Sequence, residues 1–366
     1  MIVGGEPMRP LRPAAEGDAL WVIDQRALPH RLQWQRLATP AAVDRAIREM
    51  WVRGAPLIGA VAAYGLALQM RLEPSDAALE ATAAMLRRAR PTAVNLAWAL
   101  DRLRARLQAS RPSHRAALAW AEAGAIAEDD VAANAAIGRH GLPLLQAIAA
   151  RRPGPVRVLT HCNAGWLATV DWGTATAPLY LAHAAGLPLQ VWVDETRPRN
   201  QGASLTAWEL AQAGLPHTLI ADNAGGHLMQ RGQVDLVIVG CDRVTARGDV
   251  CNKIGTYLKA LAAHDCGVPF YVAMPLSTLD LGVRDGLAEI PIEERSGREL
   301  THVGGRNAQG EVVEVQIAPD GTPAANPAFD VTPARLVSGL ITEHGLVAAD
   351  EASLASLAAR AARADR

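Results

Sequence analysis

Five short apolar runs in the second half of the chain end on side chains that ordinary packing does not ask for. They are Thr160-His161-Cys162-Asn163, Asp194-Glu195-Thr196-Arg197, Asp222-Asn223, Cys241-Asp242-Arg243 and Pro275-Leu276-Ser277. Two of these groups are reactive types. A thiol such as Cys162, placed where a helix begins and near positive charge, has its pKa drawn from about 8.5 towards neutrality and becomes a proton shuttle or nucleophile. A carboxylate facing it, such as Asp242, does the complementary half of an acid–base exchange. Arg53, Arg90 and Lys253 are scattered cations suited to a phosphate, the arginines as two-pronged grips and the lysine as a point charge.

Each residue also has a plain structural reading. A strand-end cysteine fills a core as a small hydrophobe. Asp242 serves equally to cap the next helix or close an Asx turn, and Asp194, Arg197 and Arg199 make an ordinary solvated loop. Asn163-Ala164-Gly165 and Asn200-Gln201-Gly202 fit a turn as well as a ligand cradle. A metal site from His161, Cys162 and Asp242 has no HxxE, HxH or CxxC spacing behind it, so no metal is expected and His161 reads as an orienting or core histidine. What favours chemistry is convergence: in an open parallel sheet, ligands bind beyond the carboxyl ends of the strands, on one edge.

The elements that would gather these groups follow from periodicity. Ala19 to Leu37 holds two alternating runs around Leu28-Pro29, a hairpin pattern. From Pro40 the chain is alanine-rich with helical spacing, broken at Arg53 to Pro56, and Leu96, Leu100, Leu103 and Leu107 fall on one helical face. Ser75 reads as an N-cap, with Pro91 ending that helix near Ala89. A helical run from Ser113 to Ala150 leads into the punctuation at Arg151 to Pro155. Beyond it, Val156–Thr160, Leu189–Val193, His217–Ile220, Val234–Gly240 and Val268–Ala273 alternate with helical stretches, the pattern of a parallel sheet covered on both faces. The expected fold class is α/β, with an N-terminal hairpin-plus-helical domain over residues 1–125 and a Rossmann-like doubly wound parallel-sheet domain over residues 126–366. No GxGxxG follows the first strand and no GxxxxGK[ST] occurs, so neither a dinucleotide nor a P-loop nucleotide is implied. Residues 352–366 read as a terminal helix.

Composition narrows the ligand. At 366 residues, half of them apolar, the chain exceeds one core and fills two. Lys plus Arg (36) balances Asp plus Glu (37) and aromatics are 4%, so no basic footprint or stacking platform for nucleic acid is present. The four cysteines, Cys162, Cys241, Cys251 and Cys266, lack the spacing of a disulfide framework and suit a reducing compartment. With no signal-peptide order and no uninterrupted membrane-length apolar run, a cytoplasmic protein is expected. Ile2 to Gly5 imitates the start of trypsin-like proteases, but no GDSGG follows.

The chain resembles the methylthioribose-1-phosphate isomerases of methionine salvage. The resemblance is collinear through Trp51–Ala60, Arg90–Leu96, Thr160–Gly165, Asp194–Leu210, Gly240–Val244, Asn252–Tyr257 and Asn326–Ala334. It implies an aldose–ketose isomerisation of 5-methylthioribose 1-phosphate to 5-methylthioribulose 1-phosphate without cofactor or essential metal, by a homodimer. It places the family's catalytic pair on Cys162 and Asp242. Its substrate contacts fall on Arg53, Gly54, Ala55, Arg90, Gln201, Asn252 and Lys253. The partner implied is a small phosphosugar, with no nucleic acid and no membrane. Two departures stand out: Cys241 where alanine is usual, expected by strand alternation to point away, and Arg247 where asparagine is common. Related proteins isomerise 5-deoxyribose 1-phosphate or ribose 1,5-bisphosphate. Others are regulatory subunits of the eukaryotic translation-initiation nucleotide exchange factor, which bind without catalysing.

Overall fold

The computed structural model describes residues 1–90 and 93–364. The hairpin is present, with Leu20–Ile23 antiparallel to Trp34–Leu37 in the register Leu20 to Leu37. It gains a third strand, Leu11–Pro13, too short to carry a period of its own. Helices α1 (Pro40–Arg48), α2 (Ala55–Leu72), α3 (Asp76–Arg87), α4 (Val94–Gln108) and α5 (Pro112–Ala149) follow. Ser75 caps α3 by accepting from Ala78 N at 3.2 Å, and Leu96, Leu100, Leu103 and Leu107 are all buried. Pro91 lies outside the described residues.

α2 has the length and hydropathy of a membrane span, yet 78% of it is buried inside the protein. A helix apolar all round belongs in a core, and α2 is the axis around which α1, α3, α4 and α5 pack. α5 belongs to two cores. Its Ala119, Ala123, Ile126 and Ala127 join the helical core, while Ile137 and Leu145 join the core of the sheet that follows. The position 125/126 therefore falls inside one continuous helix.

The sheet has seven strands in the spatial order Gly345–Val347, Gly339–Thr342, Phe270–Ala273, Leu236–Val239, Val156–Thr160, Leu189–Asp194, His217–Ile220. All pair in parallel except Gly345–Val347. Five of the strands match the apolar runs. His217–Ile220 differs from expectation: it is an edge strand, and Leu219 is 48% exposed. The chain runs outward from Val156–Thr160 in one direction, then returns to Leu236–Val239 on its other side. These two neighbours flank the topological switch point, where doubly wound sheets bind ligands. Cys162 follows one and Asp242 follows the other.

A second sheet does not show in the sequence pattern. Its four strands, Leu279–Asp280, Arg243–Thr245, Val250–Lys253 and Phe329–Thr332, have two to four residues each. It folds the chain after Asp242 back over the switch point. A separate hairpin of His302–Arg306 and Val312–Gln316 stands at the surface, and Glu351–Ala364 forms the terminal helix.

Candidate active site

One cavity at the switch point is lined by all nine residues to which the resemblance gives catalysis or substrate contact: Arg53, Gly54, Ala55, Arg90, Cys162, Gln201, Asp242, Asn252 and Lys253. Cys162 sits two residues past its strand with φ +64, a left-handed conformation that costs a non-glycine residue about 1–2 kcal/mol. Thr196 Oγ1 holds it there by accepting from Cys162 N at 2.8 Å. The thiol donates to Gln201 Oε1 at 3.0 Å, so the resting sulfur carries a proton.

The small sheet delivers the opposite wall. Asp242 N donates to Cys251 O at 2.9 Å, and Lys253 pairs with Phe329 in the same sheet. That register puts Asp242, Asn252 and Lys253 on one rim. Lys253 Nζ donates to Ala328 O at 3.0 Å and lies 4.3 Å from the centre of the Phe329 ring. Asn252 donates to Thr256 Oγ1 at 2.9 Å.

The helical domain closes the cavity from above. Gly54 (φ +95) precedes α2, and a Cβ there would meet Ala168 O at 2.3 Å, so only glycine fits the approach. No side chain caps α2. Its first turn, beginning at Ala55, therefore presents the positive end of the helix to the cavity, a ready site for an anion. Arg53 is held from behind, its Nη1 on Asn163 Oδ1 and its Nη2 on Asn163 O at 2.6 Å. Two of five guanidinium N–H groups are thereby used. Arg90 is 8% exposed, touches Met50, and lies 3.4 Å from Glu293 Oε2, with no hydrogen-bond partner for its Nε among the described residues.

Burial dominates the electrostatics. It pushes the Cys162 thiol up, although Arg53 and Lys253 pull the other way. The expected drop towards neutrality is therefore reversed, because the thiol is almost sealed from water. Burial also raises the Asp242 carboxyl against the pull of Lys253, Arg90 and Arg53, and lowers Lys253 and Arg90. Three buried cations line the cavity with one carboxyl, Asp242, and one neutral thiol, while Glu293 offsets Arg90 from outside the lining. The lining itself is short of negative charge, and a phosphate supplies it.

Some strand-end residues do other work. Asp194 is fully buried behind the site and accepts from His161 Nδ1 at 2.8 Å, while His161 Nε2 lies 2.9 Å from Ile254 O. Asp222 accepts from Thr196 N and Arg197 N, both at 2.7 Å. His161, Asp194 and Asp222 are spaced as a metal trio could be. The donor set does not fit one, because Lys259 Nζ already lies 3.2 Å from Asp194 Oδ2 and supplies the cation. His161 lines the same cavity as Cys162 and Asp242, but both of its nitrogens are engaged behind it, so it offers the cavity a ring face and no free nitrogen. Pro275, Leu276 and Ser277 line a different cleft. Cys241 lines the site after all: its strand ends at Val239, so alternation does not reach it. Met50, Phe329, Glu293 and Glu209 were not singled out in the sequence, since apolar and salt-bridging residues carry no local signal of a distant partner.

The chain matches the initiation factor 2 subunit family over residues 51–349. It is 62% identical to a methylthioribose-1-phosphate isomerase of Rhodospirillum rubrum, over 98% of this chain and 93% of that one. A crystal structure of 5-methylthioribose 1-phosphate isomerase from Pyrococcus horikoshii OT3 is 40% identical, with TM-score 0.82 over 96% of both chains. The structure of translation initiation factor eIF-2B subunit delta from A. fulgidus is 39% identical, with TM-score 0.75 over 93% of this chain and 96% of that one. The chain belongs to the initiation factor 2 subunit family, among the relatives that carry the methylthioribose-1-phosphate isomerase name.

Proposed function

We propose that the protein is an aldose–ketose isomerase converting 5-methylthio-α-D-ribose 1-phosphate to 5-methylthio-D-ribulose 1-phosphate in methionine salvage. The observation that carries the reading is the meeting of Cys162 and Asp242 with three buried cations in one cavity, in a chain 62% identical to an isomerase of that name over nearly its full length. Phosphate on the anomeric oxygen blocks simple opening to a free aldehyde. The balance is nonetheless simple: one hydrogen leaves C2 and arrives at C1, and one proton leaves the 2-hydroxyl and arrives at the ring oxygen as the C1–O bond breaks. No external oxidant or reductant enters that balance, so no redox cofactor is required.

Asp242 and Cys162 carry the proton exchange. Phosphate bound by Arg53, Arg90, Lys253 and the start of α2 at Gly54 and Ala55 neutralises the cations that favour ionised Asp242. Its carboxyl then holds a proton more fully, so that one is present to be donated when the substrate is in place. Gln201, which accepts from the Cys162 thiol, and Asn252 are the hydroxyl-binding groups. The enclosing wall keeps water from the intermediate. The lining also includes apolar Met50, Pro56, Ala168 and Phe329, which suits a methylthio group better than a second phosphate.

A homodimer in the cytoplasm is part of the same reading, as is a division of labour between residues 1–125, which lid the site, and residues 126–366, which hold the reacting pair. The net charge of −1 supports a small-molecule partner over nucleic acid or membrane. Arg90→Ala should raise KM by about 10- to 100-fold, the loss of one charged hydrogen-bonding partner, with an unchanged circular dichroism spectrum. An unaltered KM would remove Arg90 from the phosphate site.

The likeness to the A. fulgidus translation initiation factor eIF-2B subunit delta favours one second reading, a subunit that binds without catalysis. Turnover by purified protein without added metal separates them. Methylthioribose 1-phosphate, 5-deoxyribose 1-phosphate and ribose 1,5-bisphosphate are compared by ketose formation. Strong preference for the first is the expected result. Equal rates on the first two would indicate a broad 5-deoxypentose isomerase, and no turnover on any would favour the binding subunit.

A further inference from the structure

We infer that Glu209 is a positioning residue of this site: its buried carboxylate fixes the Asn163 amide, and through it the Arg53 guanidinium that faces the cavity. Glu209 lies in the helix Ala207–Gln212 and is 1% exposed. Its Oε1 accepts from Asn163 Nδ2 at 3.0 Å and Leu167 N at 2.8 Å. Its Oε2 accepts from Trp166 N at 3.0 Å and Tyr180 Oη at 3.1 Å. Four donors therefore meet two oxygens, which only an acceptor-only group satisfies.

The consequence reaches Arg53 through the polarity of an amide. Asn163 has one donating end and one accepting end. Glu209 and Thr206 Oγ1 claim the donating end, because the Thr206 hydroxyl spends its own hydrogen on Cys162 O at 2.7 Å and accepts from Asn163 Nδ2 at 3.1 Å. Asn163 Oδ1 is left facing Arg53 Nη1, beside the Asn163 carbonyl on Nη2. The guanidinium is gripped at two points and its remaining N–H groups are free to meet an anion.

Keeping a charge in this buried place carries a cost. Burial raises the Glu209 carboxyl to about 7, against the hydrogen bonds of Asn163, Leu167 and Tyr180 and the attraction of Arg53. What the acid adds is a negative charge behind Arg53 and a fixed sense of the Asn163 amide. The backbone reserves the space for it: a Cβ on Gly165 would lie 1.7 Å from Glu209 Oε2.

The inference rests on the sugar-phosphate reading, and its test separates the two. Glu209→Gln keeps the size but turns an NH2 towards donors. KM for methylthioribose 1-phosphate should rise about tenfold or more while kcat falls less than about threefold, since phosphate grip is lost and the reacting pair is not. Adding Glu209→Gln to Arg53→Ala should raise KM no further, because residues acting through one contact are not additive. An unchanged KM in Glu209→Gln, or full additivity in the double variant, would overturn the assignment. If Glu209→Gln does not fold, Glu209→Asp, which keeps the charge on a shorter arm, carries the same comparison. If the wild-type chain turns over no sugar phosphate, the isomerase reading fails. Calorimetric titration with inorganic phosphate then tests Glu209 alone, with weaker binding by Glu209→Gln expected and equal binding overturning the role.

Discussion

Asp242→Asn should lower kcat by about 10³-fold, and Cys162→Ser should do the same, because each removes one partner of a proton exchange usually worth about 10²- to 10⁴-fold. Asparagine matches the carboxyl in size and serine matches the thiol in connectivity, so neither disturbs the packing. The melting temperature should move by only a few degrees. Activity is the measurement to use: Cys241 shares the cavity wall, so thiol labelling would report two groups. A variant that stays active, or that simply unfolds, would defeat the catalytic assignment. Asp242 also leaves a signature in stability. Burial raises its folded pKa above the unfolded value, so its contribution is present below about pH 3.8 and lost as pH rises through the elevated folded value. Between those limits Asp242→Asn should lose less stability than the wild type, which pH-dependent urea melts would read.

Lys259→Met is expected to be the most damaging single change to stability among the residues behind the site. Asp194 is 0% exposed, and its Oδ1 has no hydrogen-bond partner among the described residues. Its charge is balanced at Oδ2 alone, by His161 at 2.8 Å and Lys259 Nζ at 3.2 Å. Removing one member of a buried pair leaves an uncompensated charge and costs about 3–5 kcal/mol. For a chain of 366 residues that is a fall of about 4–7 °C in melting temperature. Turnover should decline too, since His161 is the residue before Cys162. Lys259→Met combined with Asp194→Asn should recover part of the loss, because the orphaned charge goes with its partner. Calorimetric melting of the three variants decides it, and a shift below about 2 °C in Lys259→Met would show that the pair is not a brace.

These two predictions draw on different kinds of information. Cys162, Asp242 and the cations could be found because a reactive side chain at the end of an apolar run is visible locally, and a resemblance in long blocks tied the distant ones together. The α4 leucines and the Ser75 cap were legible for a similar reason: their patterns lie within one element. Lys259 and Glu209 lie mid-helix, where a charged residue reads as solvated until the fold shows what covers it. The strands of the small sheet are too short to express a period, so nothing local announces that Asp242 and Lys253 share a rim. The fate of the thiol's proton is not legible in the sequence, because burial, a property of the closed cavity, outweighs neighbouring charge.

The all-apolar character of α2 has a consequence for how the chain is made. α2 is complete at Leu72, but α5, the helix it packs against most, ends only at Ala149. At common synthesis rates of about 5–20 residues per second, roughly ten seconds pass in which a greasy, span-length segment has left the ribosome without its cover. During that interval it offers chaperones and membrane-targeting machinery the same signal as a true transmembrane helix. The charged residues near it, Arg45, Arg48 and Glu49 before, Arg71 in its last turn and Glu73 just after, are the features that set this segment apart from such a helix.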